Sequence, residues 1–216
     1  MIIDMKKYII FIIACLFSVQ AFAQVSFDKY FEEKTLRIDY VQSGNSQTQT
    51  AVIYELREEP VWGGPKKNLI DNLGRGGYYF KVYDKKSGEL IYSKGYCTLF
   101  EEWLTTEEAK RETQAWLNSI VMPYPKDKVI VEFNARDRKT MEFSTMLRQE
   151  IDPESIFIDR RKLVENPVVK LLDNGGSADK VDMVFLAEGY TADQQDKFVE
   201  DARKFMDAML ATAPFD

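Results

Sequence analysis

Tyr78-Tyr79-Phe80-Lys81-Val82-Tyr83 is the stretch that decides the fold, because Tyr78, Phe80 and Val82 alternate with the residues between them. Alternation with a period of two places one face of an extended strand on a core. The same alternation recurs at Leu36-Ile38-Tyr40, Val129-Val131-Phe133 and Met141-Phe143-Thr145, with polar, hairpin-like turns between some of the runs. Several short antiparallel strands predict a mainly β fold, an antiparallel β-sandwich over residues 24–172.

One helix is expected to interrupt the sandwich. Thr105-Thr106-Glu107-Glu108 fits a capping box, in which Thr105 covers a backbone amide three residues on and Glu108 reaches back. Apolar residues then follow at helical spacing until prolines end the run. The residues of this face are Ala109, Thr113, Trp116, Leu117 and Ile120, and the prolines are Pro123 and Pro125. The pattern predicts an inserted helix from Thr105 to about Ile120.

A different pattern begins after residues 173–180, a turn-rich stretch that we interpret as a linker. The run Val181–Leu186 is almost continuously apolar, which is typical of a strand buried on both faces. Thr191 and Gln194 fit a second capping box, and its helix is expected to reach about Leu210. The apolar stripe of that helix is Phe198, Ala202, Phe205 and Met209. Residues 181–216 are therefore predicted to begin an α/β domain.

Residues 1–23 have the pattern of a secretory signal peptide. Two lysines precede an apolar run, and Ala21-Phe22-Ala23 offers a cleavage site with small residues. The run is too short for a membrane span, so no transmembrane segment is expected after its removal. An exported protein is predicted, which is periplasmic, secreted or at the cell surface. Lipidation of Cys15 is the competing interpretation, since Ile12-Ile13-Ala14-Cys15 loosely resembles a lipoprotein box.

The composition argues against several kinds of chemistry. The chain has 216 residues, a formal net charge of −6 and no histidine. The negative charge gives no reason to expect nucleic-acid binding. Without imidazole these residues contain no Ser-His or Cys-His nucleophile pair and no His-ligated zinc, so no catalytic residue and no metal ligand is assigned. Cys97, the one thiol left after signal removal, is expected to be buried and inert.

Two small groups of residues are candidates for a functional site. Trp62, Trp103 and Tyr79 are large aromatic residues that could form a platform for a sugar or a peptide, although aromatic residues at such spacing also build cores. Glu188 and Tyr190 lie between the expected strand and helix of the C-terminal part, where α/β sheets tend to place functional groups. The structural alternative for Glu188 is a bond to loop amides.

A further pattern is an ordered series of short motifs along nearly the whole mature chain. They are residues 35–40, 68–71, 92–96, Glu102-Trp103, 105–109, Pro123-Tyr124-Pro125, Ile151-Asp152-Pro153, 179–182, 188–191 and Pro214-Phe215. In this order the motifs resemble the N-terminal portion of the IgA-peptidase family of secreted bacterial zinc metallopeptidases. Ala187 departs from the resemblance, because the family tends to have glycine there.

The resemblance implies a β-sandwich accessory domain followed by a zincin-like α/β catalytic domain. The zinc of the family is held through His-Glu-x-x-His on a helix, with the glutamate as general base, and that motif is expected beyond Asp216. The present chain is then expected neither to bind zinc nor to cleave peptides by itself. Its protein or peptide substrate would be bound through the missing catalytic domain. The alternative function is a stand-alone secreted or surface β-sandwich module that binds glycan or protein.

Overall fold

A computed structural model describes residues 24–162, 164 and 166–215. The expected signal peptide, residues 1–23, and the alternative lipidation site at Cys15 lie outside the described residues. In the ranges that are described, no helix is both long enough and apolar enough to cross a membrane.

Strands dominate the part of the chain that the structure describes. Along the chain, the elements are α1 (Phe27–Tyr30), β1 (Phe31–Gly44), β2 (Gln49–Glu59), β3 (Tyr78–Asp84), β4 (Leu90–Tyr96), α2 (Leu99–Trp103), β5 (Gln114–Pro125), β6 (Val129–Arg136), β7 (Phe143–Ile151), β8 (Ile158–Asp159), a 3₁₀ turn (Ala192–Gln194) and α3 (Gln195–Leu210).

The eight strands form two four-stranded sheets, in the orders β5-β1-β2-β8 and β4-β3-β6-β7. The pairings are antiparallel except for β2 with β8, which is parallel. Alternate residues of the central strands turn inward, as the period of two predicts, and this is why the sheets face one another across a common core. The prediction of a mainly β fold with an antiparallel sandwich and a C-terminal helix is confirmed.

Aromatic rings join the two sheets at the centre of the core. Tyr40 of β1 packs on Phe133 of β6, with ring centroids 4.7 Å apart, and Phe80 of β3 meets the same ring at 5.0 Å. All three side chains are fully buried. Burial of one apolar side chain of this size contributes about 2–3 kcal/mol, so this cluster is a main source of the stability of the sandwich.

Hydrogen bonds from two buried tyrosines, Tyr40 and Tyr78, also join the sheets at one end of the core. The Tyr40 hydroxyl donates to the Tyr96 hydroxyl at 3.1 Å, and the Tyr78 hydroxyl donates to Gln49 Oε1 at 2.8 Å. Each pair has one member in each sheet. Burial raises the pKa of Tyr40 and that of Tyr78 to about 12, so both phenols remain neutral donors far above neutral pH.

The expected helix from Thr105 to Ile120 is wrong, because residues 105–113 form turns and irregular chain and residues 114–120 belong to strand β5. The whole of β5 pairs antiparallel with β1, and its Ile120 and Met122 enter the core. Helix propensity is a weak local preference, and a complete strand partner outweighs it. Pro123 and Pro125 are tolerated because β5 lies at a sheet edge, where a missing backbone donor costs little.

The expected helix at the C-terminal end is present as α3 and its preceding 3₁₀ turn. Thr191 and Gln194 form the predicted capping box, in which the Thr191 amide donates to Gln194 Oε1 at 3.2 Å. One member of the predicted stripe is wrong: Phe205 is 61% exposed, whereas Ala202 and Met206 are buried. The Phe205 ring instead meets that of Phe185 at 5.8 Å, because the extended segment before the helix lies against that side.

The expected buried strand at Val181–Leu186 is also wrong for the described part of the chain. The segment is irregular, and the side chains of Val181 and Leu186 are 94% and 84% exposed. A strand that is buried on both faces needs neighbouring strands and covering helices, which the described elements do not supply to it. The described residues between Asp159 and Ala192 form neither helix nor strand.

Candidate functional site

A cleft of about 560 Å³ opens at the side of the sandwich where β4 and β5 lie. Its walls come from both sheets and from the long connection between β2 and β3, residues 60–77, which we call the cleft loop. Ligand sites in proteins commonly have volumes of about 300–1,000 Å³. The cleft is therefore of a size that suits a small molecule or a few residues of a peptide.

Strand β1 holds the beginning of the cleft loop in place. The Thr35 hydroxyl donates to the Val61 carbonyl at 2.7 Å, and the Trp62 amide donates to the Glu33 carbonyl at 3.3 Å. The indole of Trp62 turns back on the loop and donates from Nε1 to the Pro65 carbonyl at 3.1 Å. These bonds satisfy buried polar groups and fix the loop over the end of the sheet.

The second half of the cleft loop covers the outer edge of β4. The Ser93 amide donates to the Leu69 carbonyl at 2.9 Å, and the Gly95 amide donates to Asp71 Oδ2 at 2.8 Å. The Asp71 amide donates in turn to the Ser93 hydroxyl at 2.9 Å. Gly95 has to be glycine, because a Cβ there would lie 2.0 Å from the Arg75 carbonyl oxygen. Unpaired strand edges invite pairing with other chains, and this loop prevents it.

The apolar wall of the cleft is built on Trp62 and Tyr92. Their rings meet edge to face, with centroids 6.1 Å apart and an interplanar angle of 82°. Gly64 lies against the indole so closely that a Cβ would approach Trp62 Cζ2 to 2.3 Å. Leu69 and Val121 complete this wall. Burial raises the pKa of the Tyr92 hydroxyl, which keeps this side of the cleft neutral.

The two carboxylates of the cleft already have hydrogen-bond or ion-pair partners, whereas its lysine has no ion pair among the described residues. The Asp71 carboxylate accepts from the amides of Leu73 and Gly95, each at 2.8 Å. Glu59 is paired with Arg37, whose Nη1 lies 3.6 Å from Glu59 Oε1. Lys94 is exposed, and within the described ranges no carboxylate lies within ion-pair distance of its ammonium.

The three aromatic residues proposed as a ligand platform do not come together. Trp62 lines the cleft and is 7% exposed. Trp103 packs in a separate cluster against Phe100, with ring centroids 5.3 Å apart, and is 8% exposed. Tyr79 packs on Phe143 at 5.3 Å and is 7% exposed. Trp103 and Tyr79 are thus buried against other aromatic rings, and of the three residues only Trp62 lines the cleft.

Glu188 and Tyr190 lie in the exposed segment before α3. Tyr190 supports the helix, because its ring packs on Phe198 with centroids 5.2 Å apart and its hydroxyl donates to Asp201 Oδ2 at 3.1 Å. Hydrogen bonds from Lys197 and then Tyr190 hold the pKa of the Asp201 carboxyl below its usual range. The Glu188 side chain is exposed and does not line the cleft.

The residues present do not fit a zinc site. Zinc is held in proteins by three or four Cys, His, Asp or Glu side chains. The chain contains no histidine, and the described residues bring no three such side chains together. Cys97 is exposed, so the expectation of a buried thiol is wrong. It follows the last residue of β4, where the chain leaves the sheet, and the core does not reach it.

Over the residues that the structure describes, the geometry defines a β-sandwich domain with a lateral cleft beside β4, followed by an exposed segment and a helix. Comparison with protein families also shows the family to which the chain belongs. Residues 26–147 match the family model described as Peptidase M64 N-terminus, and residues 169–216 match the model described as IgA Peptidase M64. The chain belongs to the M64 family of metallopeptidases, as its motifs predicted. No curated protein matches it.

Proposed function

We propose that this chain is the N-terminal, non-catalytic part of a secreted zinc metalloendopeptidase, and that the sandwich is its accessory domain. The observation that carries the proposal is the match of residues 169–216 to the IgA Peptidase M64 model, although the described residues bring no metal ligands together. The zinc of this enzyme is then bound by polypeptide outside these residues. A protein or peptide is the substrate, as for peptidases in general.

The exposed segment before α3 supports this assignment. Val181 and Leu186 are almost fully exposed, although a soluble domain normally buries such a run of apolar residues. In the proposed enzyme this segment and α3 are the beginning of the catalytic domain. Further strands and helices of that domain then cover the side chains that are exposed here.

Export is part of the proposal and has its own test. The signal-like pattern of residues 1–23 supports cleavage after Ala23. Expression in a host with a secretion pathway, followed by mass spectrometry of the mature N-terminus, is expected to find Gln24 as the first residue. A mature chain that begins with a lipidated Cys15 would support the surface-anchored alternative, and a chain that retains Met1 would contradict export.

The experiment that tests the function compares two purified proteins. One is this 216-residue chain, and the other is the product of the reading frame extended past codon 216. We expect the extended protein to contain a His-Glu-x-x-His motif, to retain one equivalent of zinc after dialysis without chelator, and to hydrolyse a protein substrate. The shorter chain is expected neither to retain zinc nor to hydrolyse the substrate. Peptide hydrolysis or stoichiometric zinc in the shorter chain contradicts the proposal.

The stand-alone binding module remains a second candidate, because the cleft beside Trp62 is of ligand size. This function requires that the sandwich binds its ligand when no catalytic domain is attached. A reading frame that ends at codon 216, together with ligand binding by the purified chain, would favour the module over the enzyme.

A further inference from the structure

The position of Lys94 in strand β4 is unusual. In the register of β3 and β4, Lys94 stands opposite Phe80. Paired residues place their side chains on the same face of a sheet, and Phe80 is fully buried in the core. Lys94 therefore starts from the core-facing side of its strand, between the inward residues Tyr92 and Tyr96, and its side chain runs into the cleft.

An inward-pointing lysine on an edge strand often has a protective role, because it hinders pairing with a second chain. In this protein the edge of β4 is already covered. The Leu69 carbonyl of the cleft loop accepts a hydrogen bond from the Ser93 amide, and the Asp71 carboxylate accepts one from the Gly95 amide. The edge needs no further protection, so the lysine at position 94 calls for another explanation.

The surroundings of Lys94 indicate the chemistry of a ligand. The apolar wall of Trp62, Tyr92 and Val121 lies in the same cleft as the ammonium. The acidic groups of the cleft are engaged elsewhere, Asp71 by two backbone amides and Glu59 by Arg37. A cation without an ion pair, next to an apolar surface, is complementary to a group that carries a carboxylate beside an apolar side chain.

We propose that the cleft between β4 and the cleft loop binds a peptide segment that presents a carboxylate to Lys94 and an apolar side chain to Trp62 and Tyr92. The carboxylate comes either from the C-terminus of the peptide or from an acidic side chain. Binding itself does not depend on the proposed function. The role of the cleft as an exosite, which holds substrate near the catalytic domain, does rest on it.

The test is a titration of the 216-residue chain with three N-acetylated peptides. The NMR signal of the Trp62 indole N–H reports binding at each peptide concentration. The peptides are N-acetyl-Ala-Ala-Leu as the free acid, the same peptide as its C-terminal amide, and N-acetyl-Ala-Glu-Leu amide. We expect the free acid or the glutamate peptide, or both, to bind about tenfold more tightly than the uncharged amide. The stronger of the two shows which source of carboxylate the cleft prefers.

Two matched variants separate the cleft from a general effect of charge. Lys94→Met keeps an unbranched side chain and is expected to lower the affinity for the charged peptides to that for the amide. Lys81→Met removes the same charge from the opposite face of the same sheet, where Lys81 lies 5.6 Å from the ring of Tyr79, and is expected to leave binding unchanged. Because Lys94 is exposed, the variant should fold, which the dispersion of its NMR spectrum checks.

Several outcomes would overturn the proposal. They are equal affinity for all three peptides, unchanged affinity in Lys94→Met, an equal loss in Lys81→Met, and no shift of the Trp62 signal at peptide concentrations up to about 10 mM. Each of these leaves the zinc content and the activity of the extended protein untouched. Failure of the cleft is thus distinguishable from failure of the proposed enzyme.

Discussion

Arg37 holds the carboxylate of Asp39 with two hydrogen bonds, from Nε to Oδ1 and from Nη2 to Oδ2, each 2.8 Å long. The two residues are neighbours on the outer face of β1, because side chains two positions apart in a strand point the same way. Ser119 of β5 adds a third bond to Oδ1 at 2.5 Å. Asp39 is only 5% exposed, so this small network ties two strands together where the carboxylate has lost most of its water.

Asp39→Asn is expected to lower the free energy of unfolding at neutral pH by about 1–3 kcal/mol, since it removes charge-assisted hydrogen bonds at a buried site. Urea denaturation followed by circular dichroism measures this. Asp127→Asn is the control, because Asp127 is exposed in a turn. Equal stability of the two variants would show that the network contributes nothing.

The same carboxylate gives the stability a dependence on pH. Burial alone would raise the pKa of Asp39, but the bonds from Arg37 and Ser119 outweigh it and hold the pKa below its usual value. A lowered pKa in the folded state means that the stabilisation is complete above the unfolded pKa of about 3.9 and is lost as the pH falls through the folded value. Below about pH 4, Asp39→Asn should therefore lose less stability than the parent chain.

Alkaline pH is expected to destabilise the sandwich through its buried phenols. The pKa of Tyr40 is raised by burial to about 12, and that of an unfolded tyrosine is about 10. The stabilisation is full below pH 10 and falls as the pH rises toward 12. Tyr40→Phe should reduce this loss, whereas Tyr54→Phe, at a site that is 69% exposed, should not. Urea titrations at pH 9 and pH 11 that show parallel losses in all three proteins would refute the argument.

Two adjacent glycines of the cleft loop are expected to respond very differently to alanine. In Gly64→Ala the new methyl group would meet the indole of Trp62 at 2.3 Å, and the shift that follows should cost about 1–3 kcal/mol. Gly63→Ala places its methyl in open space and should change the stability by no more than about 0.5 kcal/mol. Thermal unfolding and tryptophan fluorescence measure both variants. A stable Gly64→Ala protein with unchanged fluorescence would contradict the packing described here.

Limited digestion with a lysine-specific endopeptidase is expected to cut first after Lys170. Residues 166–170 are exposed and irregular, and proteases bind their substrates in extended form. The chain at Arg160, before this exposed stretch, is held to the sandwich. Arg160 Nη2 donates to the Pro153 carbonyl at 2.6 Å and to the Tyr124 hydroxyl at 3.1 Å. The first stable product should therefore contain all eight strands.

Lys170→Ala should slow that first cut, whereas Lys86→Ala, in the tight turn between β3 and β4, should leave its rate unchanged. Mass spectrometry of early time points identifies the bonds. A first cut within residues 24–159 would mean that the sandwich is less stable than its packing indicates.

The period of two was enough to predict the sandwich, because residues such as Phe80 and Val131 have to face a core in any pairing of their strands. Helical spacing misled at Trp116 and Ile120, since their positions satisfy a helix and a strand equally and only the partner strand β1 decides between them. The composition of Val181–Leu186 also misled, for a different reason. It indicates a buried strand, but burial depends on neighbouring elements that the described residues do not supply.

The cleft was not predicted, because it depends on how the cleft loop returns across β4, and loop paths leave little periodic signal. One local sign was available. Lys94 breaks the apolar alternation of Tyr92 and Tyr96 in a strand that also places Ile91 in the core. A charge at an inward position of an edge strand is such a signal, and here it points into the candidate site.

The cleft loop performs two tasks with one piece of backbone, and this limits how the protein can diverge. Shortening it would widen the cleft but would also strip the cover from β4, so that neighbouring molecules in a concentrated solution would join strand to strand into polymers. Substitutions at its exposed side chains carry no such penalty. Relatives that adapt the cleft to other ligands should therefore keep the length of this connection and vary the residues along its rim.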